Sequence, residues 1–177
     1  SRLYCHVEAL PPPPSGHPIA VEVRGQPRDN PLAKDAQWIA DRTALERARA
    51  ADVHEVVLAS VGGGASDDND NAAGGGRDAA ATVNAVARAV EGTQTNFFAV
   101  TRDGTVCTAG EGVLEGTVRK MVLEECARHS IPVRLEAPAV NTLTSDWGDA
   151  FLTSTSRLVL PVDEVRVGVR RGLGARA

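Results

Sequence analysis

The chain has 177 residues, of which 42% are hydrophobic, and a formal net charge of −4 at pH 7. That length accommodates one ordinary domain with a real core, and a mildly acidic chain without like-charge runs excludes electrostatic recognition of nucleic acid. No apolar segment approaches the roughly twenty residues that span a bilayer, so no membrane role is expected.

The opening residues show neither the basic nor the apolar region of a secretory leader, and no initiating methionine is present; the chain reads as a fragment or a processed product. Residues 4–10 (YCHVEAL) and 17–23 (HPIAVEV) alternate like strands around PPPPSG, whose prolines exclude helix. Residues 35–51 (DAQWIADRTALERARAA) are rich in helix formers, with Trp38, Ile39, Leu45 and alanines available for a buried face and Asp35 suited to the amino end. VHEVVLASV (53–61) and VARAVEG (86–92) read as strands. Between them, residues 62–82 (GGGASDDNDNAAGGGRDAAAT) hold too few large apolar side chains to offset their ordering entropy, which predicts a disordered insertion in a hairpin loop. A phosphate-binding glycine loop is the competing reading, and it lacks the closing Gly-Lys-Ser/Thr.

NFFAVTRDGTVCTAG (96–110) predicts a hairpin turning at Asp103-Gly104. In GTVRKMVLEECARHS (116–130), Val118, Met121, Val122, Leu123 and Cys126 fall at helical spacing. A strand is expected in IPVRLEA, a short helix or turn through NTLTSDWGD, a strand in AFLTS and one last strand near RLVLPVDEVRV. Interleaved strands and helices, with hairpins as well as crossovers, favour a mixed α/β (α+β) domain. Cys5, Cys107 and Cys126 have no CxxC spacing and their number is odd, so a reducing, cytoplasmic setting is expected and neither zinc nor a disulfide framework. His6, His17, His54 and His129 are scattered without metal-ligand spacing.

The chain carries two lysines, Lys34 and Lys120, against seventeen arginines. An arginine serves a solvated charge equally well, but only a primary amine can lose its proton and join a carbonyl carbon. Lys34 sits between RDNP and the predicted helix. Glu91 closes a strand in VEGTQTNFF; LEGTVR (114–119) opens a helix behind Gly116; LTSTSR (152–157) closes a strand with a run of hydroxyls. Free amides at a helix start and neutral hydroxyls suit a phosphate, a buried glutamate suits a protonated ring nitrogen, and a lysine suits an aldehyde. Those three groups together describe pyridoxal 5′-phosphate. Taken singly, Glu91 reads equally as a solvated strand end, GTVR as an ordinary helix start and Thr155-Ser156 as a plain turn.

The segments PLAKDAQWIADRTALERA, HEVVLAS, VEGTQTNFFAV, GVLEGTVRKMVLEECARHSIPV and AFLTSTSRLVLPVDEV, in this order over roughly residues 28–165, resemble the class IV aminotransferases. These are the fold-type IV pyridoxal-phosphate enzymes, with branched-chain and D-amino-acid aminotransferases and aminodeoxychorismate lyase among them. The resemblance implies the carboxyl-terminal domain of the D-amino-acid aminotransferase-like fold, a mixed sheet or pseudo-barrel with flanking helices. It implies a pyridoxal-phosphate domain over 31–168, preceded by a lead-in segment 1–30 and followed by a tail 169–177. Lys34 matches the lysine that joins the cofactor aldehyde and shuttles a proton, and Glu91 matches the glutamate on the pyridine nitrogen. Gly116, Thr117 and Val118 match the phosphate-binding helix start, and Thr155 with Ser154 or Ser156 matches the second phosphate turn. Asn96 is read as structural, and Trp38 as core packing rather than a cofactor contact.

The activity so implied is transamination between an amino acid and a 2-keto acid by a homodimer. Aminodeoxychorismate lyase-like elimination is the alternative within the family, and a truncated, non-catalytic binding module the alternative outside it. Four departures are expected. The chain reads as beginning near the junction with the small amino-terminal domain of typical members, Val118 stands where branched-chain enzymes often have threonine, Trp38 and Ile39 fill the neighbourhood where many relatives hold a tyrosine near the lysine, and the insertion at 62–82 lengthens a loop that is short in relatives.

Overall fold

The computed structural model describes residues 9–10, 12, 18–62 and 86–167. The strand expected at 4–10, most of the predicted insertion at 62–82 and the tail beyond 167 lie outside the described residues. Within them, β1 (Ala20–Val23), α1 (Gln37–Arg47), β2 (Val53–Gly62), β3 (Val86–Gly92), β4 (Asn96–Thr101) and β5 (Val106–Cys107) come first in chain order. They are followed by α2 (Thr117–Arg128), β6 (Val133–Arg134), a short 3-10 turn (Val140–Thr142), β7 (Trp147–Ser154), β8 (Leu158–Val162) and β9 (Glu164–Val167). One mixed sheet runs β6-β5-β4-β3-β2-β1-β9, and β7 pairs with both β4 and β8. β1 is parallel to β2 and β9, and β5 to β6; the other pairings are antiparallel. The mixed α/β class expected from the sequence is the class observed. Part of the segment expected as a lead-in contributes β1 to this sheet.

Strand alternation builds the interior. On β4, Phe97 and Ala99 face the main core with Val21, Val57, Ala89, Trp147 and Leu152. Phe98 faces the opposite way, onto Val106, Cys126, Val122, Leu123 and Phe151, and stacks on Phe151 with ring centroids 4.6 Å apart. That second cluster seats α2 across β4, β5 and β7, which brings the amino end of α2 to Asn96 at the start of β4. Asn96 Nδ2 donates to the Leu114 carbonyl at 2.7 Å.

Three sequence expectations are corrected. Helix α1 has no buried residue and Ile39 is 58% exposed, so its predicted buried face is absent; Met121 on α2 is likewise exposed. Strand β7 begins at Trp147 rather than Ala150, because Trp147 enters the main core and carries Gly148 and Asp149 with it. The last strand is two strands, separated at Asp163, whose carboxylate accepts the Ile19 N–H at 2.7 Å and turns β9 onto β1.

Candidate active site

The strand pair β2–β3 carries an irregularity that aims Glu91. Leu58 faces Glu91 and Ala59 faces Ala89, so Val90 is an extra residue on β3; bulges of this kind redirect the side chain beside them. A tight turn follows, with the Gly92 N–H donating to the Thr95 carbonyl at 2.8 Å. A Cβ on Gly92 would collide with Thr95 Oγ1 and Glu55 Oε1, and one on Gly116 with Asn96 Oδ1, so both positions need glycine. At Gly116 this close approach lets α2 start against β4. The first intrahelical bond runs from the Lys120 N–H to the Gly116 carbonyl, and no side chain caps the helix. The amides of Thr117, Val118 and Arg119 therefore have no acceptor within the helix.

These features border one cavity of about 490 Å³, a size that suits a small ligand. Lys34, Glu91, Gly116, Thr117, Val118, Ser154 and Thr155 all line it. Ser156 does not; its hydroxyl lies 3.2 Å from that of Ser154. The exposed wall holds Lys34, Thr117 and Thr155, and the buried wall holds Glu91, Thr93 and Thr153. Among the described residues the hydroxyls of Thr93 and Thr153 are buried without a hydrogen-bond partner, and both residues border the cavity. A buried hydroxyl left unpaired costs free energy, so each is a donor that a ligand or water in the cavity can satisfy. Trp38 also lines the cavity and donates its Nε1–H to the Thr93 carbonyl at 2.9 Å. This corrects its reading as core packing.

Glu91 is 2% exposed. Burial pushes its carboxyl above the ordinary range, against the opposing pull of the Arg28 guanidinium and the Leu114 amide. Arg28 Nε donates to Oε1 at 2.7 Å and the Leu114 N–H to Oε2 at 3.1 Å. Each oxygen is thus held, and the carboxylate keeps further lone pairs for a cationic group. A second buried carboxylate, Glu55, accepts the Gln94 N–H at 2.8 Å and the Thr95 hydroxyl at 3.0 Å on Oε1. Its Oε2 pairs with Arg157, which joins the 92–95 turn to the 154–157 turn.

Arg28, Thr93, Thr153 and the Glu55–Arg157 pair escaped sequence reasoning. Only Glu55 left a signal: a charge inside the apolar run VHEVVLASV requires a partner. Among the described residues no cluster of His, Cys, Asp and Glu could hold a metal ion, and no helix is long and apolar enough to cross a membrane.

A family model described as amino-transferase class IV matches residues 69–165, more than half of the chain, with Lys34 outside the matched span. No curated protein matches. Among solved structures, the chain is similar to a branched-chain aminotransferase from Thermoproteus uzoniensis, at 24% identity over 86% of this chain and 46% of that one, with a TM-score of 0.57. It is similar also to a hypothetical aminotransferase from Mycobacterium tuberculosis in its PLP-bound form, at 17% identity over 83% and 47%, TM-score 0.58. A 4-amino-4-deoxychorismate lyase from Pseudomonas aeruginosa is similar at 17% identity over 86% and 49%, TM-score 0.57. At these identities the likeness establishes the fold, and the chain spans about half the length of the solved structures it matches.

Proposed function

Because the chain belongs to the class IV aminotransferase family, we propose that its cavity holds pyridoxal 5′-phosphate and serves transfer of an amino group between an amino acid and a 2-keto acid. The observation that carries this reading is the meeting of Lys34 and buried Glu91 in one cavity with the open amino end of α2. The donor set fits the group. Unpaired hydroxyls on Thr93 and Thr153 and acceptor-less amides on α2 offer hydrogen bonds to phosphate and ring oxygens, which are rich in lone pairs.

Thr117, Val118, Thr155 and Ser154 would hold the phosphate, Glu91 the ring nitrogen, and the Lys34 amine the aldehyde carbon. When bound, the cofactor supplies a conjugated ring that spreads the charge left on the substrate's α carbon. The protein's own part is acid–base and positional. The Lys34 amine, exposed and lining the cavity, would be the group that holds or moves a proton at the substrate's α carbon. Arg28 favours the charged form of Glu91 against its burial, and a carboxylate so placed would pair with a cationic ring nitrogen.

The test is covalent. The chain is incubated with pyridoxal phosphate, reduced with borohydride and peptide-mapped. Lys34 is expected to carry the label in excess over Lys120, an amine whose side chain is 77% exposed; equal labelling of both would end the proposal.

A further inference from the structure

We propose that Arg28 is a positioning residue, whose guanidinium fixes the loop that carries Lys34 against the Glu91 carboxylate. The inference rests on the cofactor-site reading and goes beyond it, by assigning to one arginine the distance between the site's amine and its carboxylate.

Three contacts made by one side chain carry it. Arg28 Nε donates to Glu91 Oε1 at 2.7 Å. Its Nη2 donates to the Pro31 carbonyl at 3.0 Å. Its guanidinium carbon lies over the Trp38 ring, 5.4 Å from the centroid. Pro31 stands three residues before Lys34 and Trp38 four residues after it, so both flanks of the lysine are gripped by the group that also holds the carboxylate. Trp38 extends the grip to the β3–β4 turn through its bond to the Thr93 carbonyl.

Among the described residues the lysine loop has little else to hold it. Its local backbone bond, from the Ala33 N–H to the Asn30 carbonyl, is long at 3.5 Å, and Leu32, Lys34, Asp35, Ala36 and Gln37 are exposed. No buried residue anchors α1 behind it. The Arg28 and Glu91 side chains are 8% and 3% exposed, so solvent does not screen their pairing as it would a surface ion pair. Only arginine meets the three demands together: a directional Nε–H, a second N–H at a fixed angle, and a flat face for the indole. Without it, the Lys34 amine is free to sample more space, and its effective concentration beside a ligand seated on Glu91 falls.

The closing experiment compares the full chain with Arg28→Gln and Trp38→Phe, each treated with pyridoxal phosphate and borohydride, with Lys34 and Lys120 labels quantified and thermal unfolding followed in parallel. In the parent chain Lys34 dominates. In Arg28→Gln the Lys34-to-Lys120 ratio is expected to fall by about tenfold, with Lys120 labelling unchanged. Loss of thermal stability with an unchanged ratio marks a merely structural arginine and overturns the proposal while leaving the cofactor reading intact. A parent chain that labels both lysines alike overturns both. If Arg28→Gln does not fold, Trp38→Phe decides: it leaves the ion pair in place and removes the Thr93 link, so a smaller fall of the ratio supports the positioning role and an unchanged ratio refutes it.

Discussion

Glu55 shows how one side chain can set two turns. It is 2% exposed in the middle of β2, flanked by Val53, Val56, Val57 and Leu58, all buried, and an isolated charge there would be intolerable. Its three partners, the Gln94 amide, the Thr95 hydroxyl and the Arg157 guanidinium, lie on turns far apart in the chain. Replacing Arg157 by methionine strands the carboxylate. We expect a loss of roughly 3 kcal/mol, the low end for breaking a buried pair, because the Arg157 side chain keeps 18% of its exposure. Glu55→Gln added to Arg157→Met is expected to recover part of that loss, since the amide carries no charge to strand. A double-mutant cycle in urea measures the coupling; strictly additive effects would refute the pairing as an energetic unit.

The elements divide by how they are held. α2 buries Val118, Arg119 and Cys126, whereas α1 has no fully buried residue: Trp38 and Leu45 are half-buried, and polar contacts help to hold it, Trp38 Nε1 donating to the Thr93 carbonyl at 2.9 Å and Arg24 to the Leu45 and Ala48 carbonyls. Helical stability in proteins comes chiefly from a packed apolar face. Amides of α1 are therefore expected to exchange with deuterium well before those of α2 and β4, and equal protection of the two helices would contradict this. The same contrast explains what the sequence made legible. Strands β3 and β4 and the Asp103-Gly104 turn were readable because local alternation and turn chemistry agree with the packing they enter. The helix over Gln37–Arg47 was readable by propensity, but its lack of a buried face was not, because Trp38 and Ile39 border the cavity instead of a core. The break at Asp163 depends on Ile19, distant in sequence and invisible to any local pattern. Of the residues that line the cavity, Lys34 and Glu91 were singled out by residue type and by resemblance, while Arg28, with its long-range partner, had no pattern to betray it.

For the whole molecule, a ligand in the cavity would couple its binding to global stability, because the walls come from the loop before α1, the end of β3, the start of α2 and the end of β7. Unfolding any of these dismantles it. Pyridoxamine 5′-phosphate, which lacks the aldehyde and so cannot label lysines, serves as the probe. At about a hundred times its dissociation constant it is expected to stabilise the chain by roughly 2.7 kcal/mol, or about 5–10 °C in Tm at this size. Thr153 gives the coupling a sign that a nonspecific effect would not reproduce. Its hydroxyl is buried with no partner among the described residues, so Thr153→Val, which keeps the shape and removes the polar atom, is expected to leave the Tm of the free chain unchanged or to raise it by up to about 2–4 °C, the equivalent of roughly 1 kcal/mol. If that hydroxyl donates to the ligand, the same substitution weakens binding by about 1 kcal/mol, and the ligand-induced shift shrinks. Thermal unfolding of both chains with and without the probe reads both effects. A variant that is destabilised when free, or that binds the probe as tightly as the parent, would show that Thr153 is satisfied some other way and that the donor set of the cavity has been misassigned.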